Sequence, residues 1–248
     1  MGKLTNRTAL VTGAGQGLGK AIAIAFAGNG ARVAVNDEVA ARAQEVAEHI
    51  RKCGGTAEAF QADVSDPAAV ASMVQSITSN LGAIDILVNN AGIMGSCPVL
   101  SITPEFWDRV FAVHVRGTFL CSKAVLPHMM EKGYGKILNM SGSYAIGGAE
   151  NYVHLSAAKG AITGFTRALA REVGPHGICV NAIVPSMIKS DLTEKMDPVF
   201  LERLRQRYPL RRLGEMGDVT ASALFLACSD SDFYTGQNLC PSGGDVMV

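Results

Sequence analysis

Three groups of residues in this 248-residue sequence have types and spacings that could do chemistry. The first is the run Thr12-Gly13-Ala14-Gly15-Gln16-Gly17-Leu18-Gly19, between a β-prone stretch and the start of a helical apolar pattern. Glycines in that setting let backbone approach a pyrophosphate at a helix N-terminus, where free N–H groups and the helix dipole favour negative charge. The second is Asp37, ending the next β-prone stretch. A carboxylate there accepts hydrogen bonds from an adenosine ribose and repels a 2′-phosphate. The turn offers Gln16 and no lysine or arginine to greet an extra phosphate, so the pair points to NAD(H). Each feature also has a plainer reading: an ordinary tight turn, and an N-cap ahead of Glu38. The third is Tyr152-Val153-His154-Leu155-Ser156-Ala157-Ala158-Lys159-Gly160, where small neighbours allow close approach to a lysine.

The elements that must position these groups are legible from periodicity. Strands are expected at Thr8–Thr12, Arg32–Asn36, Thr56–Ala62, Ile84–Asn90, Lys136–Met140 and Ile178–Val184, with a short last one around Gln237–Cys240. Helical patterns lie between them: after the glycine turn, from about Glu38 to Lys52, from Pro67, from Pro104 to Lys132, from Tyr152 to Val173, and from Asp218 to Cys228. The nearly continuous apolar character of Ile84–Asn90 suits a strand buried on both faces of a parallel sheet. The expectation is one α/β domain over residues 1–248, a doubly wound, mainly parallel sheet of about seven strands with helices on both faces. Residues 186–213, with two prolines, several charges and irregular apolar spacing, read as a lid. Ligands of such a sheet bind beyond the carboxyl ends of its strands, where all the motifs fall.

Taken with Asp63 after the third strand and Asn89-Asn90-Ala91-Gly92 ending the fourth, these motifs resemble the short-chain dehydrogenase/reductase family over essentially the whole chain. The resemblance implies that Asp63 and Val64 hold the adenine ring, that Asn89, Ala91 and Gly92 line the adenosine side and steady the sheet, and that Lys159 holds the nicotinamide ribose. It further implies that Pro185, Ile188 and Ser190 meet the carboxamide, although Ser186 stands where the family has glycine, and that the chain forms a homotetramer or homodimer through the helices of Trp107 and Lys159. Asp63 could instead cap a turn, and Asn89 could only bridge strands.

The acid–base half departs from the family. Leu155 stands where the resemblance places the proton-donating tyrosine, Gly142 where it places the carbonyl-holding serine, and His114 where it places an asparagine. A nascent alkoxide needs a proton, and a positioned acid contributes typically about 10²- to 10⁴-fold. Ser143, Tyr144 or Tyr152 could compensate. Tyr152 and Lys159 reproduce the Tyr-x6-Lys spacing of the enoyl reductase branch, with Tyr152 alternatively packing as a structural aromatic. His114 is either a satisfied buried histidine or a proton relay.

Equal numbers of basic and acidic residues, 22 of each without blocks, imply neither a nucleic acid nor an anionic membrane as partner and leave a small-molecule substrate. The six scattered cysteines, the absence of a leader-like N-terminal segment and of an 18- to 20-residue apolar run fit a cytoplasmic location. No metal site is implied. Two functions follow: an NAD(H)-dependent oxidoreductase with an altered proton path, acting on an activated C=C, an iminium or a ketone; or a catalytically impaired relative, natural or engineered, that binds NAD(H) without normal alcohol or ketone turnover. A non-redox elimination using His114 is a third.

Overall fold

Short runs of β-branched and apolar residues pair into one parallel sheet in this computed structural model, which describes residues 2–190, 193 and 196–247. The strands are β1 (Thr8–Val11), β2 (Arg32–Asp37), β3 (Thr56–Gln61), β4 (Ile86–Asn89), β5 (Gly135–Met140), β6 (Ile178–Ile183) and β7 (Asn238–Leu239). Their order is β3-β2-β1-β4-β5-β6-β7, every neighbouring pair parallel. The chain winds outward from β1 to β3, then crosses back to β4 on the other side. That switch opens a crevice beyond the carboxyl ends of β1 and β4.

The helices are α1 (Gly17–Gly28), α2 (Ala40–Lys52), α3 (Pro67–Leu81), α4 (Pro104–Phe111), α5 (Gly117–Lys132), α6 (Tyr144–Gly147), α7 (Val153–Val173), α8 (Pro198–Arg207) and α9 (Met216–Ala227). Helix α3 begins as its sequence predicts, with Pro67 at the first helical position and Asp66 capping the N–H groups of Ala68 and Ala69. One face of the sheet is covered by residues such as Ile22, Phe26, Val46 and Leu226, the other by Leu10, Ile77, Val125 and Val173, all buried. Both faces being dry, strands such as Ile86–Asn89 carry no polar alternation.

Several expectations are corrected locally. Asp37 belongs to β2 and is not the cap of α2, which starts at Ala40; its Oδ1 instead accepts from the Val39 N–H at 3.0 Å. The segment from Pro104 to Lys132 is helical throughout but widens into a π turn at Ala112–Arg116, centred on His114. Tyr152 lies just outside α7, with φ −129° and ψ 32°. Helix α6 is additional to the sequence reading. Within the lid, Ile188 bridges to Gly214 and α8 is regular, while 191, 192, 194 and 195 lie outside the described residues. Among the described residues no helix is long and apolar enough to cross a membrane.

Beneath the crevice, β4, β5, α5 and α7 are joined by a buried polar network. Asn89 Nδ2 donates to Asn139 Oδ1 at 2.8 Å and to Ser122 Oγ at 3.1 Å, and Asn139 Nδ2 donates to Thr166 Oγ at 3.0 Å. Asn139 is fully buried, so removing its amide strands polar atoms away from water. Asn139→Ala is expected to lower unfolding free energy by about 1–3 kcal/mol, measured by urea denaturation.

Candidate active site

The glycine-rich turn leaves β1 and enters α1 through residues that lace the two central strand ends together. Thr12 Oγ donates to Val88 O at 3.2 Å and accepts from the N–H groups of Asn90 (3.0 Å) and Ala91 (3.1 Å). The Asn90 amide donates to the carbonyls of Thr12 and Gly13 at 2.9 and 3.0 Å. At Gly13, φ is +59° and an added Cβ would stand 2.8 Å from Ala91 Cα, so two requirements select glycine there. Helix α1 then starts behind Gln16 with no side-chain cap. Its first-turn N–H groups are left for an anion.

Asp37 closes this half. Its Oδ2 accepts from the Gly15 N–H at 3.0 Å, which orients the carboxylate at the edge of the turn. Two oxygens bearing one backbone N–H each retain lone pairs for sugar hydroxyls. Asp63, after β3, is bound by the Ser65 N–H (2.8 Å), the Ser65 hydroxyl (2.7 Å) and Arg109 (3.0 Å). Burial opposes its ionisation, yet these bonds hold it below the usual carboxylate range. Arg109 also reaches Glu38 at 3.6 Å and so links the loops after β2 and β3. An arginine on a half-exposed helix face carries no sequence signal for that role. Val64 is buried under Gly117, and Asn89 sits in the buried network, its amide protons engaged by Asn139 and Ser122. A dinucleotide fits this half on the structure's own terms: an uncapped helix start, a turn open at Gly17 and an oriented carboxylate.

The chemical half gathers where α7 crosses the end of β5. Lys159 Nζ donates to the Met140 carbonyl at 2.6 Å, and Ser141 Oγ donates back to the Lys159 carbonyl at 3.0 Å. Lys159 is half-buried, and burial around its ammonium lowers the pKa to about 8. Leu155 lies one turn earlier on α7, buried. Gly142 has open space, an added Cβ meeting nothing nearer than Pro185 O at 3.8 Å. Ser143 is buried and its N–H donates to Pro185 O at 2.9 Å. Ile188 turns its side chain into the core, and Ser190 N–H donates to Thr193 Oγ at 2.8 Å.

Rings line the approach. Tyr144 stacks on Tyr152 with centroids 5.1 Å apart, Tyr152 on His154 at 6.4 Å, and His154 packs against Phe106 at 5.1 Å. Burial, then the Tyr152 phenol, push Tyr144 up to about 12. His114 and His154 both hold the loop after β4: their Nε2 atoms lie 2.8 Å from Ile93 O and 2.9 Å from Gly95 O. Nε2 of His114 also lies 3.1 Å from the Ile93 N–H, so either tautomer finds a partner on that residue, and each buried Nδ1 is left without one. The ring at 114 fits because residue 92 is glycine; a Cβ there would stand 2.4 Å from His114 Cε1.

The comparisons with known proteins fall on the same architecture. Residues 13–245 match the family described as enoyl-(acyl carrier protein) reductase. The chain belongs to the short-chain dehydrogenase/reductase family. Within it, the chain is 41% identical to an uncharacterized oxidoreductase, YxbG, of Bacillus subtilis, covering 98% of this chain and 92% of the relative. It is 38% identical to (2S)-[(R)-hydroxy(phenyl)methyl]succinyl-CoA dehydrogenase subunit BbsD of Thauera aromatica, covering 97% of each. A crystal structure of gluconate 5-dehydrogenase from Burkholderia cenocepacia in complex with NADP and tartrate superposes with a TM-score of 0.94 at 33% identity, over 98% of this chain and 96% of that one. The short-chain dehydrogenase fold and an oxidoreductase assignment are thereby shown.

Burial, then the Lys159 charge, lower His114 to about 3 from an ordinary 6.5. The unfolded chain binds a proton there below about pH 6.5 while the folded chain resists until about pH 3, so stability declines as pH falls through that interval. Urea midpoints measured from pH 7 to 4 are expected to drop more steeply in the parent than in His114→Asn.

Proposed function

We propose that this protein is an NAD(H)-dependent oxidoreductase whose proton-donor site differs from that of ordinary carbonyl reductases, acting on a small molecule with an activated C=C, an iminium or a ketone. The observation that carries the reading is an equipped dinucleotide half beside a chemical half in which Leu155 occupies the buried position one turn before Lys159. NADH, when bound, supplies the hydride. Gly13, Gly15, Gly17 and Gly19 with the start of α1 would hold the pyrophosphate, Asp37 the adenosine ribose, Asp63 and Val64 the adenine, and Lys159 the second ribose.

The choice of NAD(H) over NADP(H) rests on charge. The Asp37 carboxylate, held by the Gly15 N–H, would lie against a 2′-phosphate, and like charges at close range repel. The gluconate 5-dehydrogenase neighbour binds NADP, so the preference belongs to this chain's own β2 end. The aromatic ladder Tyr144–Tyr152–His154 favours an apolar or aromatic substrate portion at the entrance. Ser143, at the start of α6, is the hydroxyl nearest in sequence to the vacated serine position and would hold a substrate carbonyl. Half-buried Trp107, stacked on Phe111 at 5.0 Å, and exposed Phe119 support assembly into a homodimer or homotetramer through α4 and α5. We place this activity in the cytoplasm.

A second reading, a dinucleotide-binding chain that transfers no hydride and serves as one subunit of a larger enzyme, is favoured by the relative from Thauera aromatica being named a subunit. Mixing protein, NADH and a panel of ketones, enones and cyclic imines separates the two: oxidation of NADH followed at its absorbance band supports the first reading, while binding without turnover supports the second. By calorimetry, NADH is expected to bind at least about tenfold more tightly than NADPH, equivalent to about 1.4 kcal/mol, and Asp37→Ser to erase the preference. Leu155→Tyr, Gly142→Ser and His114→Asn together are expected to raise ketone reduction by about 10²- to 10⁴-fold, Gly142→Ser entering open space.

A further inference from the structure

We propose that Lys159 is itself the general acid of this enzyme, delivering a proton from Nζ directly to the substrate oxygen in the space the family's tyrosine would fill. The inference rests on the oxidoreductase reading above and names the donor that reading leaves open.

The ammonium is singular in its surroundings. The deeply buried Lys136, by contrast, is balanced by Asp232 at 2.8 Å and lies within 3.5 Å of Ser231 and Cys179. Lys159 has one hydrogen bond, to Met140 O, and among the described residues no ion pair. Three N–H bonds with one acceptor leave two donors for ligand oxygens. One would go to a ribose hydroxyl of the bound dinucleotide. The other is left for substrate, with Leu155 one turn earlier on the same helix offering no competing oxygen and no phenol to relay through.

Other donors near Lys159 are engaged elsewhere or compete with it. His114 faces Lys159 from the π turn, but its Nε2 is taken up by the N–H and carbonyl of Ile93 and its ring stays neutral well below working pH. His154, on α7, has Nε2 fixed on Gly95 O. Tyr144 is half-buried near Tyr152, Tyr208, Asp245 and Arg207 and is held up at about 12. Tyr152 is stacked between the Tyr144 and His154 rings just outside α7, and is the competing donor that the Lys159 titration below distinguishes. From β5, Lys159 meets only the Met140 carbonyl and the Ser141 hydroxyl.

The step balances simply. As the electrophilic carbon gains hydride from the dihydronicotinamide, the π pair of the carbonyl or conjugated enone collapses onto oxygen. The Nζ–H bond breaks, an O–H bond forms, and Lys159 is left as a neutral amine. Solvent protonates that amine through the open edge of the crevice. The Met140 carbonyl holds Nζ in place in both states, because an amine still donates.

The test reads the amine and the rate separately. Lysine-selective ¹³C or ¹⁵N labelling, with the signal assigned by its loss in Lys159→Met, gives the titration of Lys159 in the NADH complex by NMR. A midpoint near 8 is expected. The reduction rate kcat, on whichever panel substrate turns over, is expected to fall about tenfold per pH unit above that same midpoint. Lys159→Arg keeps the charge but cannot release its proton, and is expected to lose at least about 100-fold in kcat, read at saturating NADH because the substitution also touches the ribose contact. Turnover that is flat from pH 7 to 9.5, an amine titrating near 10.5, or full kcat in Lys159→Arg overturns the role while leaving the oxidoreductase reading intact. Absence of turnover across the panel, with folded NADH-bound protein, overturns both.

Discussion

The hydrogen bond from Lys159 to the Met140 carbonyl holds the chemical half of this molecule together. It fixes a cation at the carboxyl end of a central strand, at the one place where a parallel sheet presents backbone carbonyls to a crevice. Helix α7 supplies the lysine and β5 the acceptor, while Ser141 ties the same turn of helix back to the strand. The cation in turn shapes its neighbours: with burial, it keeps His114 neutral, and the neutral ring meets both the N–H and the carbonyl of Ile93 in the loop after β4 through Nε2. Loop, helix and strand end are therefore coupled through one charge.

The dinucleotide half depends on a different economy of hydrogen bonds. Thr12 uses its hydroxyl three times, once as donor and twice as acceptor, so the ends of β1 and β4 are joined without any side chain entering the crevice. Asn90 completes the lacing from the opposite strand. The result is a floor made of backbone and a wall made of Asp37, which is what a phosphate and a ribose require of a protein surface. The same arrangement explains why the glycine run could be read from sequence: its residues are constrained by backbone geometry, and backbone geometry is local.

Legibility followed that distinction throughout. The strands, the helices between them and the position of Lys159 were readable because each rests on periodicity or on short spacings. The π turn at His114 was not, since a single wide turn inside a long helical pattern carries no residue-type signal of its own. Helix α6, only Tyr144–Gly147, is too short to show a period at all. Tyr152 was assigned to α7 because it sits one residue from the helix start, where pattern gives no boundary. Arg109 was missed because its significance lies in meeting Asp63 and Glu38 from elements far apart in the chain. Sequence spacing reports what the backbone needs, and tertiary pairing reports what the side chains find.

The residues at positions 114, 142 and 155 are compatible with the fold for reasons that differ at each place. Leu155 occupies a buried position on α7, where an apolar side chain is stable on its own terms. Gly142 borders open space, so the loss of a side chain creates no clash and no collapse. His114 is tolerated only because Gly92 leaves room for a ring and because Ile93 offers a carbonyl to its Nε2. Leu155 and Gly142 therefore leave that part of the site apolar without disturbing its frame, and His114 anchors the loop after β4. In such a lining the Lys159 ammonium stands out as a charged hydrogen-bond donor with one acceptor and, among the described residues, no counter-ion.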